Sequence, residues 1–415
     1  MSLAEHYDDI ARCNKCGFCQ VACPIFRATG HESGVARGRL SLLRALIEGR
    51  LGWTSELEEP LFDCLRCGAC TANCFPAVAT ADLLGGAREE YLNRLGRGRL
   101  HRILFDKLLP NPRLLRFVAR IAALGKSSGA SRAVRALRLL RSFGRDMDRA
   151  EEIVERFPAR GYRDVDRSQI LEGRGEPRIG YFVGCGIDLL CPEAANATVG
   201  ILRDLGSTVQ VLDNCCCGLP ASTYGDREAA RRLAAQNLEA IDLGALDLVV
   251  TDCSSCASYL KRYPELFPED DALHGHAERL ASRVRDLVEV LPPTEYLPAT
   301  SAEPVIATYH DPCHASRGQQ LVDEPREALR RIPGIEYREL PEADWCCGGA
   351  GAYALSHYDL SVAVLDRKMD NVEKTGANLL VTSCPACVVQ LTYGVRRRGL
   401  PIRVCHLSEA LSRPR

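Results

Sequence analysis

The residues that could do chemistry here are cysteines, 21 of them in 415 residues, and they are ordered. Cys13, Cys16, Cys19 and Cys23 read C-x2-C-x2-C-x3-C, and Pro24 follows at once. Cys64, Cys67, Cys70 and Cys74 repeat the run 51 residues later, with Pro76 close behind. Three thiolates spaced in this way on one tight loop can hold three corners of an iron–sulfur cube. The fourth cysteine then points away and ligates the other cube. The spacing predicts two [4Fe-4S] clusters, one on Cys13, Cys16, Cys19 and Cys74, the other on Cys64, Cys67, Cys70 and Cys23. Pro24 and Pro76 stop local helix and fix the turn. Zinc is the alternative, but it takes four ligands, usually as two separated CxxC pairs. Eight cysteines in two runs with trailing prolines do not suit it.

The C-terminal half holds a second repeat. Cys185, Cys216, Cys217, Cys253 and Cys256 form one set, and Cys313, Cys346, Cys347, Cys384 and Cys387 the other, offset by 128 to 131 residues. Gly218 and Gly348 follow the paired cysteines. Such a repeat predicts two homologous domains. One zinc leaves a fifth thiolate surplus, and adjacent cysteines rarely reach one ion together. A polynuclear iron–sulfur cluster can take both, each on a different iron. A thioredoxin-like reading of the CxxC pairs leaves three cysteines per repeat without a role. Cys191, Cys215 and Cys405 fall outside the motifs and read as buried bystanders. His310 and His314 bracket Cys313; either could hydrogen-bond a cluster sulfur or deliver a proton, and a structural role at a strand end is the alternative. Gly218, Gly348, Gly349 and Gly351 would allow close backbone approach and N–H donation to sulfur.

These groups need elements to position them. Between the first two runs, Leu40, Leu43, Leu46 and Ile47 share one helical face, and Gly49 can end the helix. In each C-terminal repeat, short β-rich runs lead into cysteines: RIGYFVG, VQVLDN and DLVVTD in the first, VIATYHDP, EYRELPEADW and NLLVTS in the second. Helical segments follow, such as residues 227–241 with Leu233, Asn237, Leu238 and Ile241 in register, and 360–372 with Leu360, Val364 and Leu365. Strand, cysteine, helix, three times per repeat, predicts an α/β domain with a mostly parallel sheet. Sites in such sheets form beyond the carboxyl ends of strands, which would gather all five cysteines of a repeat at one edge.

Residues 94–145 differ in character, with 14 Lys or Arg and a single acid, Asp106. Leu114, Phe117, Val118, Ile121 and Leu124 form an apolar stripe flanked by Arg113, Arg116 and Arg120, and Val134, Leu137 and Leu140 form a shorter one. One reading is a linker of amphipathic helices packed on the protein, its arginines solvated. The other is a docking surface for an anionic membrane face or an acidic partner subunit. Sparse aromatics and a net charge of −1 speak against nucleic acid.

The C-x~30-CCG-x~35-CxxC pattern resembles the cysteine-rich CCG domain found in heterodisulfide reductase and in iron–sulfur subunits of glycolate oxidase, lactate dehydrogenase and glycerol-3-phosphate dehydrogenase complexes. The order of the motifs, with YHDPCHASRG (309–318) and CCGGAGAY (346–353), is similar to the glycolate oxidase iron–sulfur subunit. The resemblance implies an α plus α/β fold. Residues 1–95 would be a helical two-cluster ferredoxin domain, 96–175 a basic helical linker, 176–300 a first CCG domain and 301–415 a second. It implies one further iron–sulfur cluster per CCG domain. Both CxxC pairs are complete, the five-cysteine pattern that carries noncubane clusters in heterodisulfide reductase, so an enzyme of that type is the alternative.

No G-x-G-x-x-G opens a helix after a strand, and no P-loop or Ser–His–Asp arrangement is recognisable. The flavin is therefore expected on a partner subunit. The expected function is electron transfer within an oxidoreductase complex, from an FAD-containing dehydrogenase subunit for glycolate or D-lactate to a quinone or another carrier. No apolar run reaches the roughly 18 residues of a membrane span and the start carries no secretory signal, so the expected location is the cytoplasm or the inner membrane face.

Overall fold

The computed structural model describes residues 3–129, 131, 134–135, 140, 146–155, 157–164, 175–292 and 305–412. The expected 300/301 boundary and Leu137 of the second stripe lie outside these residues.

The N-terminal part is helical, with no strand among its described residues. Its longer helices are Ala36–Ile47 and Thr80–Leu95. Leu40, Leu43 and Leu46 are buried on the first, where they meet Leu57, Leu61, Leu83, Leu84 and Ala87. Gly49, with φ of 69°, follows its end. Around this core lie the two cysteine loops. Lys15 and Gly17 in one, Arg66 and Gly68 in the other, all have positive φ. The 51-residue repeat is thus a repeat of backbone shape as well as of sequence. Each left-handed glycine starts a short helix, Phe18–Ala22 or Ala69–Ala72, that carries the third cysteine of its run.

The C-terminal half contains two parallel four-stranded sheets. The first comprises β1 (Gly175–Tyr181), β2 (Ser207–Val211), β3 (Leu248–Thr251) and β4 (Val284–Asp286) in the order β2-β1-β3-β4. The second comprises β5 (Val305–Tyr309), β6 (Ile335–Tyr337), β7 (Leu379–Thr382) and β8 (Arg403–His406) in the order β6-β5-β7-β8. The topologies are identical, as the repeat predicts. Three strands of each sheet are the β-rich runs before the cysteines; β4 and β8 are additional, and close one edge. The expected helices form as Arg227–Ala240 and Tyr358–Thr375, with Leu233, Leu238, Val364 and Leu365 buried.

The two units pack reciprocally. The Cys185–Leu190 helix of the first lies on the Pro385–Arg398 helix of the second, and Cys313–Gln319 of the second lies on Ser254–Leu260 of the first. At the centre, Ser254 N donates to Ser383 O (3.1 Å), and their hydroxyls are 2.8 Å apart. His406 Nε2 bonds to Asp252 O (2.9 Å).

Candidate functional site

Two hollows lie in the N-terminal unit. One, of about 340 Å³, is lined by Cys13, Cys16, Cys19 and Cys74. The other, of about 380 Å³, is lined by Cys23, Cys64, Cys67 and Cys70. Each brings together three cysteines of one run and the fourth of the other, and Cys70 borders both. Backbone N–H groups point at several sulfurs: Arg66 N at Cys64 (3.3 Å), Phe26 N at Cys23 (3.4 Å) and Val78 N at Cys74 (3.4 Å). Such donors stabilise thiolate, the form that binds metal. Four thiols from two loops around one hollow suit an iron–sulfur cube, and the donor set is the one such clusters use.

In the C-terminal half the cysteines follow the carboxyl ends of the strands, the edge the sheet rule names. In the first unit Cys185 Sγ is 3.8 Å from Cys216 Sγ, and Cys217 is hydrogen-bonded to Cys216 and Cys256. Cys256 in turn meets Cys253. In the second unit Cys347 Sγ is 3.4 Å from Cys387 Sγ and is hydrogen-bonded to Cys346. Cys384 pairs with Cys387, and Cys313 faces Cys347 and Cys384. All 21 cysteines are free thiols, so none is spent on a disulfide. The Cys216 and Cys256 thiols hold Cys217 down to about 5 against its burial. Cys346 and Cys387 likewise lower Cys347, while each donor thiol is itself raised. Buried thiols this crowded can all ionise only beside a multivalent cation, so the donor set fits a polynuclear metal centre.

The glycine of each CCG triplet is needed for this geometry. Gly218 and Gly348 have φ of 93° and 84°. A Cβ on Gly348 would stand 2.5 Å from Ser361 O. Gly348 N and Gly349 N point at Cys346 and Cys347 Sγ, each at 3.4 Å.

The cysteine groups also meet one another. Cys67 of the N-terminal unit is hydrogen-bonded to Cys346, which with Arg317 holds the Cys67 thiol down at about 6. Cys384 is hydrogen-bonded to Cys253 across the joint between the two α/β units. Three arginines fix these seams. Arg317 donates to Cys67 O (3.3 Å) and pairs with Asp344 (2.7 Å). Arg66 donates to Ser222 O (2.9 Å). Arg88 donates to Cys64 O and Thr223 O, both at 2.6 Å. Trp345, Tyr353 and Val364 share one apolar cluster with Cys23, Ile25 and Leu65.

The N-terminal unit matches the 4Fe-4S dicluster domain over residues 9–77. Residues 96–154 match the linker region of the glycolate oxidase iron-sulfur subunit, and residues 179–261 and 307–392 match the cysteine-rich CCG domain. A probable glycolate oxidase iron-sulfur subunit of Bacillus subtilis is 29% identical over 97% of this chain and 93% of its own length. The glycolate oxidase iron-sulfur subunit of Escherichia coli is 28% identical over 94% of this chain and 91% of its own. Lactate utilization protein A of Geobacillus kaustophilus is 33% identical over 57% of this chain and 98% of its own. The chain belongs to this family of CCG-domain iron-sulfur subunits. It is an iron-sulfur subunit of the glycolate oxidase and lactate utilization type.

Within that family frame the remaining residues find their places. Cys215 is buried and its sulfur meets Cys216 O (3.5 Å) and Leu233 O (3.6 Å), facing backbone rather than the other thiols. Cys191 and Cys405 are buried in the apolar core. His314 Nδ1 lies 3.1 Å from Ser255 Oγ and 3.7 Å from Cys313 Sγ. His310 has one ring nitrogen within 4.8 Å of both Cys347 and Cys387 Sγ. Sequence alone names no partner for His310. Overlaying the two repeats would have singled it out, since Phe182 stands in its place in the first.

The linker helix Pro112–Ser127 is oriented opposite to the packed-stripe expectation. Leu114, Phe117, Val118, Ile121 and Leu124 face outward, with Phe117 57% and Leu124 68% exposed. Arg116 and Arg120 instead face Asp164, and Arg116 also faces Asp188. The arginines hold the helix down, and its apolar stripe is left at the surface. Among the described residues, no helix is long and apolar enough to cross a membrane.

Proposed function

We propose that this chain is the electron-carrying subunit of a flavin-dependent 2-hydroxy-acid dehydrogenase complex for glycolate or D-lactate. It takes electrons from an FAD-bearing partner and delivers them to a quinone or another carrier. Cys13, Cys16, Cys19 and Cys74 would hold one [4Fe-4S] cluster, and Cys64, Cys67, Cys70 and Cys23 the other. The five cysteines of each CCG unit would hold one more iron–sulfur centre, cubane or noncubane. Such centres supply single-electron chemistry over a span of several hundred millivolts.

One observation carries this reading. The thiol groups form a continuous series through the interior. The two N-terminal hollows share Cys70 as a common wall. Cys67 touches Cys346, and Cys384 touches Cys253. Metal centres that served only to hold the fold would gain nothing from touching. The outward stripe of the Pro112–Ser127 helix supports a docking role at an anionic membrane face, since it presents five large apolar side chains within a basic segment.

The test is anaerobic purification with co-expressed flavoprotein subunits. Iron and acid-labile sulfide at four clusters' worth per chain, and dye reduction driven by glycolate or D-lactate, are expected. A well-folded chain that holds zinc or no metal overturns the reading. Thiol–disulfide turnover by the chain alone would favour the heterodisulfide-reductase-like alternative. For the membrane face, Phe117→Glu with Ile121→Glu should abolish flotation with anionic vesicles while leaving the iron content unchanged. Flotation equal to wild type would remove that part.

A further inference from the structure

The two CCG units share one backbone plan, so the positions where they differ near the cysteines are informative. After β1, Phe182 N donates to Val250 O (2.9 Å). After β5, His310 N donates to Val381 O at the same distance of 2.9 Å. Cys185 and Cys313 each follow three residues later. Phe182 and His310 are thus the same position, and both are buried at 0% and 1% exposure. The first unit puts an aromatic hydrocarbon there and the second an imidazole.

That imidazole is not fully satisfied by the protein. Its Nδ1 is buried and has no hydrogen-bond partner. A buried polar atom left in that state is costly, and in a native fold it calls for an explanation. The ring cannot owe its place to apolar packing, because Phe182 shows that a hydrocarbon fits the plan. The ring also faces sulfur: it is hydrogen-bonded to Cys347, and one of its nitrogens lies within 4.8 Å of both Cys347 and Cys387 Sγ. These belong to the five thiols that the proposed function gives to a metal centre.

We propose that His310 directs a ring nitrogen at the iron–sulfur centre of the second CCG unit, as a ligand or a hydrogen-bond donor, making it chemically distinct from the first. The inference rests on the proposed function. The five thiolates are kept, and an N–H donated to a cluster sulfur, or a neutral nitrogen bound to iron, adds no negative charge and stabilises the more reduced form; histidine ligation elsewhere raises iron–sulfur potentials. The second unit should therefore hold the more positive of the two centres.

The test uses the full chain, isolated anaerobically with ¹⁵N-labelled histidine and reduced for pulsed EPR. A ¹⁵N coupling is expected in wild type. It should vanish in His310→Phe, which installs the first unit's residue, and persist in His314→Phe. The midpoint potential of one centre should move to more negative values in His310→Phe alone. No coupling in iron-loaded wild type, or a coupling that survives His310→Phe, overturns the inference. The wild-type measurement stands even if the variant fails to fold. Iron analysis separates the two levels. Iron confined to the N-terminal clusters would sink the underlying reading and this inference with it; a full iron complement without the coupling would sink this inference alone.

Discussion

Replacing Arg88 by methionine should open the joint between the N-terminal unit and the first CCG unit. The side chain is only 2% exposed and sits among carbonyls. It donates to Leu61 O (3.0 and 2.7 Å), Cys64 O (2.6 Å) and Thr223 O (2.6 Å). Each hydrogen bond from a charged donor contributes about 1.5–3 kcal/mol. Against this, burial of the charge is costly, enough to push the guanidinium down to about 10. That shift corresponds to about 3 kcal/mol. Methionine removes both effects but leaves four carbonyls without this donor, Phe62 O (3.4 Å) being the fourth, and losing one side of a buried charged network destabilises by about 3–5 kcal/mol. The assay is urea unfolding of the anaerobic holo-chain, followed by iron content at sub-denaturing urea. The iron held around Cys64, Cys67 and Cys70 should leave first, because Cys64 O loses its donor. Arg88→Lys should recover less than half of the loss, since an ammonium cannot span all four carbonyls. A change below about 1 kcal/mol with iron retention unaltered would refute the clamp.

Cys74→Ser should remove the EPR signal of the cluster on Cys13, Cys16 and Cys19 and spare the one on Cys64, Cys67 and Cys70; the reverse would show that each run ligates its own cluster. Gly348→Ala should destabilise by at least the roughly 1–2 kcal/mol of a left-handed alanine, and by more because its Cβ would meet Ser361 O at 2.5 Å; a thermal melt equal to wild type would contradict this. Asp226 is buried, which alone would raise its pKa, but His101 Nε2 (3.0 Å), Arg97 Nη1 (2.6 Å) and Ala229 N (3.0 Å) hold it well below the usual carboxylate range. The carboxylate's contribution is therefore present at neutral pH and lost only as pH falls below about 5, so the gap in unfolding midpoint between wild type and Asp226→Asn should not shrink between neutrality and that pH and should close below it; a gap that shrinks already near neutrality would contradict the assignment.

Much of this architecture was legible because it is local or repeated. The leucine face of Ala36–Ile47, the apolar runs that became β1 and β7, and the matched cysteine intervals are patterns within a few residues of each other. What was not legible is contact between distant single residues. Arg66, Arg88 and Arg317 look alike in the sequence, yet each reaches a carbonyl more than 100 residues away. The strands β4 (Val284–Asp286) and β8 (Arg403–His406) lead into none of the motif cysteines, so the strand-then-cysteine pattern that marked the others does not mark them. Periodicity found the stripe of the Pro112–Ser127 helix but not its direction, because that depends on Asp164 and Asp188 across the fold.

The two CCG units hold similar thiol groups, and Cys67 of the N-terminal unit meets Cys346 of the second. In the second unit, three positions carry basic side chains where the first has neutral ones. His310 stands where the first unit has Phe182, Lys368 where it has Asn237, and Arg317 where it has Leu189. Lys368 is fully buried and donates to Glu342 O (2.5 Å) and Ala343 O (3.0 Å), just ahead of Cys346. Asn237 makes the matching backbone contacts in the first unit, bonding to Cys215 N (2.9 Å) and Cys216 O (3.0 Å), without charge. The first unit draws a cation from outside the repeat instead: Arg163 donates to Asn214 O (2.6 Å) and Leu212 O (3.0 Å), just ahead of Cys215. Added positive charge in a weakly polar interior favours the form of a neighbouring site that carries one more electron. On the proposed function, the second CCG unit, whose Cys346 meets Cys67, would be the first to draw an electron from the N-terminal clusters, and the first CCG unit, which meets the second through Cys253 and Cys384, would be the next.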